Sequence, residues 1–231
     1  MQANTTPRTG YSAWFLMIVA LFVTCLITAN IIAVKLVDIG GLIVPAGITI
    51  FPISYIVGDV LTEVYGYRAA RRVIWLGFAC NLIAVTAILI GQALPVAGFW
   101  DAQAAYERIL GFTPRLLIAS FVAFLVGEFA NSYVLARLKV ATKGRRLWLR
   151  TISSTVIGQG LDSVIFIFVA FWGTQPSEAL MSAMLTQWVF KVIYEALATP
   201  ITYAVVAHIK RQEGIDVYDR DISFNPLSLA E

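Results

Sequence analysis

The chain has 231 residues, of which 59% are hydrophobic and only 13% charged, with 17 Lys and Arg against 14 Asp and Glu and a net charge of +3. A soluble domain carries about a quarter charged residues, so the composition excludes an ordinary water-soluble enzyme and points to an integral membrane protein. The positive excess sits in short connectors between apolar runs, which suits an anionic cytoplasmic leaflet and not nucleic acid.

A bilayer core takes roughly 20 apolar residues per helix. In chain order, six runs meet or approach that length, at about 13–36, 45–65, 73–94, 115–137, 151–172 and 184–208. The first is longer than a signal-peptide core of about 7–15 residues, and no small-residue cleavage site follows it, so it reads as a retained span. Cys25 and Cys80 fall inside apolar runs and read as small buried hydrophobes. The second run is irregular. Gly40, Gly41, Pro45, Gly47 and Pro52 crowd its start, so it is expected to begin extended or broken and to turn helical at about Ile53. Such backbone is tolerated at membrane depth only when buried in protein or lining a cavity. Between Pro95 and Pro114, the stretch DAQAAYERIL has the spacing of a short amphipathic helix. The acidic, polar stretch from Glu213 onward reads as a loosely ordered tail. The expected organisation is an N-terminal segment over 1–12, an all-α domain of six transmembrane helices over 13–208, and a tail over 209–231.

The connectors orient the bundle. Arg68, Arg71 and Arg72 follow the second run, and Arg137, Lys139, Lys143, Arg145, Arg146 and Arg150 lie between the fourth and fifth. Arg8 precedes the first run, and Lys210 and Arg211 follow the last. With six crossings all of these share one side, and the opposite loops hold few bases, so both termini are expected in the cytoplasm.

Five acids fall within the runs: Asp59 and Glu63, Glu128, Asp162, and Glu195, with Lys191 as the one clear base. Asn30, Asn81, Asn131 and Gln159 accompany them. A charge at the bilayer centre costs about 2.5–3.5 kcal/mol on insertion scales, so these groups must face the bundle interior. At about 1.5 Å per residue from the cytoplasmic ends, Glu128, Asp162 and Glu195 lie roughly 13–20 Å deep and Asp59 about 10 Å deep. Four helices thus present acids in one band, which implies a shared polar cavity. Glu128 and Asn131, Gln159 and Asp162, and Lys191 and Glu195 each share a helix face, and Gly58, Gly127, Gly158 and Gly160 stand beside them to allow close approach.

Plainer readings compete for some of these residues. Lys191 and Glu195 could neutralise one another along their helix, Asn30 and Asn81 could be interhelical glue, and Glu63 could pair with the Arg68–Arg72 cluster. The aromatic residues Tyr55, Tyr133, Phe166, Phe171, Trp188 and Tyr194 suit core or interface packing as well as ligand stacking. Glu128 and Asp162 have no base one turn away on their own helices. Enzyme classes fall away. There is one histidine, so no H-E-x-x-H site exists. Gly158–Asp162 reads GQGLD, one residue too long for the G-x-G-D of an intramembrane aspartyl protease, and no P-loop sequence occurs. No catalytic residue, metal site or cofactor is expected.

Four motifs in order carry a resemblance: FPISYIVGDVLTEVYGYRAARRVIW, GEFANSYVLARLK, RTISSTVIGQGLDSVIFIFVAFWG and FKVIYEALATPITY. Together, over about Asn30 to Tyr203, they resemble the queuosine precursor transporter family of bacteria, also described as vitamin-uptake-transporter-like. The resemblance implies a six-helix inner-membrane importer of 7-cyano-7-deazaguanine, with 7-aminomethyl-7-deazaguanine as a second candidate. It also implies a fold akin to the substrate-binding subunits of energy-coupling-factor vitamin importers, usually without an ATPase partner. For such a ligand, Glu128 or Asp162 would read the donor-rich edge through paired hydrogen bonds. Asn131, Gln159 or Lys191 would meet the carbonyl, and Phe166 or Tyr194 would cover the ring. Asp59 would line the site or its gate, and Glu195 and Asn30 complete the candidate set. The lipid bilayer and a deazapurine are the expected partners, with homodimerisation open to a chain of this size. Two other readings are a capture subunit docking on an ATPase module, through a small-x-x-x-small pattern at Ala29–Ala33, and a non-transporting structural membrane protein.

Overall fold

The computed structural model describes residues 12–39, 42–111, 114–173, 177–220 and 222–228; Arg8, one of the orienting bases, lies outside them. Seven α-helices are present among these residues: α1 Ala13–Ile32, α2 Phe51–Val60, α3 Tyr67–Ala93, α4 Gln103–Leu110, α5 Pro114–Ala141, α6 Leu147–Phe171 and α7 Ser177–Glu213. Five of them, α1, α3, α5, α6 and α7, are long and apolar enough to cross a membrane. Their polarity is inverted relative to a soluble protein. Leu16, Ile83, Phe168 and Leu197 are exposed, whereas Asp59, Glu63, Glu128, Arg150 and Glu195 are buried, as a lipid-facing bundle with a polar interior requires. Cys25 and Cys80 are both free, Cys25 being buried in α1.

The second apolar run departs from a simple span. Strands β1 Leu36–Ile39 and β2 Leu42–Pro45 pair antiparallel, so the fold is not purely α-helical. A 3₁₀ turn at Ala46–Thr49 leads into α2, and α2 ends in one π-helical turn, Leu61–Tyr65. The glycines and prolines that break the start are the physical reason: helix begins only at Phe51, with Pro52 in the first turn, where its missing N–H costs nothing. The expected interruption is therefore observed, with helix from Phe51 against an expected start at about Ile53, and this is the one run whose helix, among the described residues, is too short to meet the spanning length. Helix α4 is the amphipathic segment expected between Pro95 and Pro114. Tyr106 on it donates to the Ile88 carbonyl at the end of α3 (3.2 Å).

One end of the bundle gathers the basic connectors. Phe15 at the start of α1 meets Tyr65 (5.0 Å between rings), and Trp14 meets His208 near the end of α7 (5.3 Å). Glu63 occupies the centre of this end. Arg150 grips both its oxygens at 2.7 Å, Lys210 donates to Oε1 at 2.7 Å, and Lys139 bonds its backbone carbonyl. The Arg68–Arg72 cluster is thus not the partner of Glu63. Its bases come from α5, α6 and α7, and Arg71 instead donates to the Ser223 and Asn225 carbonyls.

The tail is docked, which corrects its reading as loosely ordered. Asp216 bonds Lys139 (2.6 Å) and Lys210 (2.8 Å), Trp75 donates to the Pro226 carbonyl, and the Phe224 ring packs against Tyr67 and Tyr133. The tail has no long apolar run, so its composition gave no sign of docking, yet Ile222 and Phe224 pack against the cluster of Tyr67, Ile74 and Phe129. Hydrogen-bonding groups add to that packing, supplied by Lys210 nearby and by helices 77 to 154 residues earlier. Asp219 makes the most instructive bond. Helix α3 starts after Gly66, which has no side chain to cap it, and Asp219 Oδ2 accepts the Tyr67 N–H at 2.9 Å in its place. Gly66 itself sits at φ 83°, and a Cβ there would lie 2.7 Å from Val217 and 2.9 Å from Asp219, so this glycine is needed twice over.

Burial pushes the Asp219 carboxyl above its usual range, opposed by the Tyr67 amide and the charges of Lys139 and Arg68. A carboxyl raised in the docked state holds its proton more tightly there than when free. The Asp219 contribution to docking is therefore largest at low pH and weakens as pH rises from about 3.8 through the raised value. Asp216 has the opposite sign: against its burial, Lys139 and Lys210 hold it below its usual range, and its contribution is lost on acidification. Asp219→Asn keeps the acceptor and removes the Asp219 dependence, whereas Asp219→Ala loses a cap of about 1 kcal/mol and quickens local opening about fivefold. Hydrogen exchange over residues 215–220, corrected for intrinsic rates, checks both; equal exchange in Ala and wild type contradicts the capping role.

Candidate functional site

Helices α5 and α6 set the site because glycine lets them touch. A Cβ on Gly158 would sit 2.7 Å from Asn131 Cβ and 2.8 Å from the Gly127 carbonyl, and one on Gly127 would sit 2.8 Å from Asp162 Cβ. The stripe of α6 holding Gly158 and Asp162 therefore faces α5. Trp188 of α7 donates to the Val156 carbonyl (2.9 Å) and packs on Gly160, so that stripe faces α7. At about 100° per residue, Gln159 and Ser163 fall between the two stripes, toward the bundle interior. Both are buried.

The acids expected at one depth do come together. Asp59 Oδ1 accepts from Asn131 Nδ2 at 2.8 Å, joining α2 to α5. Asp162 Oδ2 accepts from Lys191 at 2.6 Å, joining α6 to α7. Lys191 is therefore not neutralised by Glu195 one turn on; it crosses to the neighbouring helix. Asp162, which has no base on its own helix, has one from the next. Glu128 stands against Gly58, with Oε2 3.4 Å from where a Cβ would be, and within electrostatic reach of Asp162 and Lys191. Glu195 is the charge that acts most strongly on Asp59, followed by Glu128 and Glu63.

A set of oxygens is left over. Asp59 Oδ2, Asn131 Oδ1, Gln159 Oε1, Ser163 Oγ and Glu195 Oε1 are buried and make no hydrogen bond within the chain. Buried polar atoms are nearly always paired; the two amide oxygens can only accept, the two carboxyl oxygens accept when ionised, and the fifth is a hydroxyl. The interior thus offers acceptors in search of donors.

Two candidates make their contacts elsewhere, and a third is only partly buried. Asn30 donates to Asn81 at 3.2 Å and ties α1 to α3, the glue role. Phe166 makes an edge contact with Phe171 on its own helix, 6.2 Å between rings. Tyr194 is half-buried on α7. Two residues outside the candidate set join the site. Tyr55 hydrogen-bonds Lys191, whose Nζ lies 5.9 Å from its ring centre, and Ser163 contributes one of the unpaired oxygens. Their signal in the sequence was spacing: Tyr55 precedes Asp59 by four residues, and Ser163 follows Gln159 by four.

The fold and this buried polar interior define a multi-pass membrane protein. The family described as "Putative vitamin uptake transporter" matches residues 45–205, and the chain belongs to that family, one of transporters and not enzymes. A Bacillus subtilis protein named "Probable queuosine precursor transporter" is 32% identical over 189 residues, covering 81% of this chain and 82% of its own. The Escherichia coli "Queuosine precursor transporter" is 29% identical over 203 residues, covering 86% and 88%. A Haemophilus influenzae protein named "Probable queuosine precursor transporter" is 23% identical over 171 residues, covering 71% and 68%. No solved structure matches the chain.

Proposed function

We propose that this chain is an inner-membrane importer of a queuosine precursor, a deazaguanine such as 7-cyano-7-deazaguanine. Its relatives' names support the substrate class, and one observation in the interior supports the chemistry: the five unpaired, acceptor-rich oxygens. A deazaguanine presents a ring N–H, an exocyclic amine and the pyrrole N–H, so its need for acceptors matches what the site supplies. Asp59, Asn131 and Gln159 take the donor edge in this reading. Asp162, already satisfied by Lys191, instead positions that ammonium toward the carbonyl, and Tyr55 offers the ring a face. The broken second run crosses as a sixth span, placing both termini and the docked tail in the cytoplasm under the positive-inside rule.

Docking on an ATPase module is less favoured. Ala29 is fully buried within the bundle, so the Ala29–Ala33 pattern is not free to receive a partner helix.

Gln159→Leu separates binding from folding. Gln159 Oε1 has no partner, so a leucine of similar size should leave stability unchanged or improved. Loss of the acceptor should weaken 7-cyano-7-deazaguanine by about tenfold or more, as a lost buried hydrogen bond of about 1–3 kcal/mol implies. Thermal stabilisation of the purified protein over a panel of deazapurines, purines and vitamins reads both. Failure of every deazaguanine to shift the midpoint overturns the substrate assignment.

A further inference from the structure

Four carboxyls and one ammonium share the interior: Asp59, Glu128, Asp162 and Glu195 against Lys191. Ionised together they would carry a net charge of about −3 (four acids less one base) within the membrane interior, with Asp59, Glu128 and Glu195 buried, a state the bundle cannot hold. Asp162 and Lys191 cancel at 2.6 Å, with Tyr55 bonded to the same ammonium. The charged groups that face Asp59 from the elements around it are Glu195 on α7, Glu128 on α5 and Glu63 on the π-helical turn, all of them acids. Among the described residues, no ion pair reaches Asp59 or Glu195. Glu63 holds both Arg150 contacts and Lys210, and Lys139 is engaged by the Glu63 carbonyl and Asp216.

We propose that Asp59 and Glu195 hold a transportable proton between them and couple uptake to the inward proton gradient. The coupling rests on the importer reading above; the protonated pair does not. Each of the two side chains is about 1% exposed, and each keeps one oxygen, Asp59 Oδ2 and Glu195 Oε1, with no donor. A proton on one carboxyl supplies the missing donor and removes the repulsion between two buried carboxylates. A proton fits better than a metal ion, because among the described residues no three acids, histidines or cysteines converge to hold one. The way out toward the charged end is also polar. One turn below Asp59, Thr62 Oγ1 bonds the Gly58 carbonyl and Ser132 Oγ, both at 3.1 Å. Below them come Glu63, then Lys210 and Asp216, which are 22% and 42% exposed. One proton picked up outside by the pair and released along this ladder with each neutral substrate moves one positive charge inward per cycle.

Glu128 is the third acid without a base among the described residues, so its own protonated-carboxyl signal is subtracted first. Infrared spectra of the purified full-length Glu128→Gln protein at neutral pH should still show a protonated-carboxyl C=O stretch, and Asp59→Asn and Glu195→Gln in that background should each abolish it. A Glu128→Gln spectrum without that band overturns the pair, whatever the substrate is. In proteoliposomes given 7-cyano-7-deazaguanine, an outside-acid gradient should raise accumulation about tenfold per pH unit, with matching acidification of the lumen. Uptake that ignores the proton gradient, or follows a sodium gradient, overturns the coupling. Coupling that persists in both variants places the proton elsewhere and overturns the assignment. No uptake or binding of the deazaguanine would instead overturn the functional reading, and the infrared band would still decide the pair.

Discussion

Glu63→Gln should lower the thermal midpoint of the purified protein by about 6–20 °C. Glu63 is the single buried carboxylate on which Arg150 and Lys210 converge, with Lys139 3.7 Å from Oε1 and bonded to the adjacent carbonyl. Removing one partner of a buried ion pair costs about 3–5 kcal/mol, because the other charges stay behind in a medium that cannot solvate them. In a chain of this size each kcal/mol moves the midpoint by about 2–4 °C. Only Asp216, 42% exposed, would remain to balance three bases. The prediction carries an internal check. In the Glu63→Gln background, Arg150→Met removes a charge that has already lost its partner, so its cost should be smaller than in the wild type. Additive costs in that double-mutant cycle, or a midpoint unmoved in Glu63→Gln, would show that the cluster is solvated and contributes little. The consequence reaches beyond stability, since the cluster ties the π-helical turn to α5, α6 and α7 just below Asp59.

Gly158→Val should damage the substrate site more than the fold. The added side chain would press on Asn131 Cα at 3.1 Å and on the Gly127 carbonyl, which are backbone atoms and cannot rotate away. Helices α5 and α6 must then separate, at a cost of about 1–3 kcal/mol for overpacking. Separation moves Asn131 off Asp59 and Asp162 off α5, so the deazaguanine-induced shift should shrink by an amount equal to at least about tenfold in affinity. Gly98→Val is the control: nothing lies within 4 Å of a Cβ there, so both readings should stay at wild-type values. A Gly158→Val protein that binds normally would show that the two helices do not shape the site through this contact.

How much was legible beforehand varied with the range of the interaction. The apolar runs specified their own helices, because each needs only about 20 residues and satisfies its backbone internally. The break before Ile53 was legible from its prolines and glycines. The band of acids was legible too, since depth follows from counting residues along a helix; in the structure Asp59 meets Asn131, Asp162 meets Lys191, and Glu128 and Glu195 lie within electrostatic reach of them. Pairing was not. Helical periodicity tells which residues share a face but not which helix lies opposite, so Glu195 stood as the partner of Lys191, and the Arg68–Arg72 cluster as that of Glu63.

The sequence by itself determined a polytopic membrane protein with acids buried at a common level and bases gathered at one end, because hydrophobic length and charge position are local quantities. Only the tertiary structure decided who neutralises whom. It sent Lys191 across to Asp162, gave Glu63 bases from three other helices, and folded the tail back so that Asp219 caps α3 from 152 residues away. Those choices depend on which helix faces are brought within about 3 Å of one another, and here that depends on the close approach that Gly66, Gly127 and Gly158 permit.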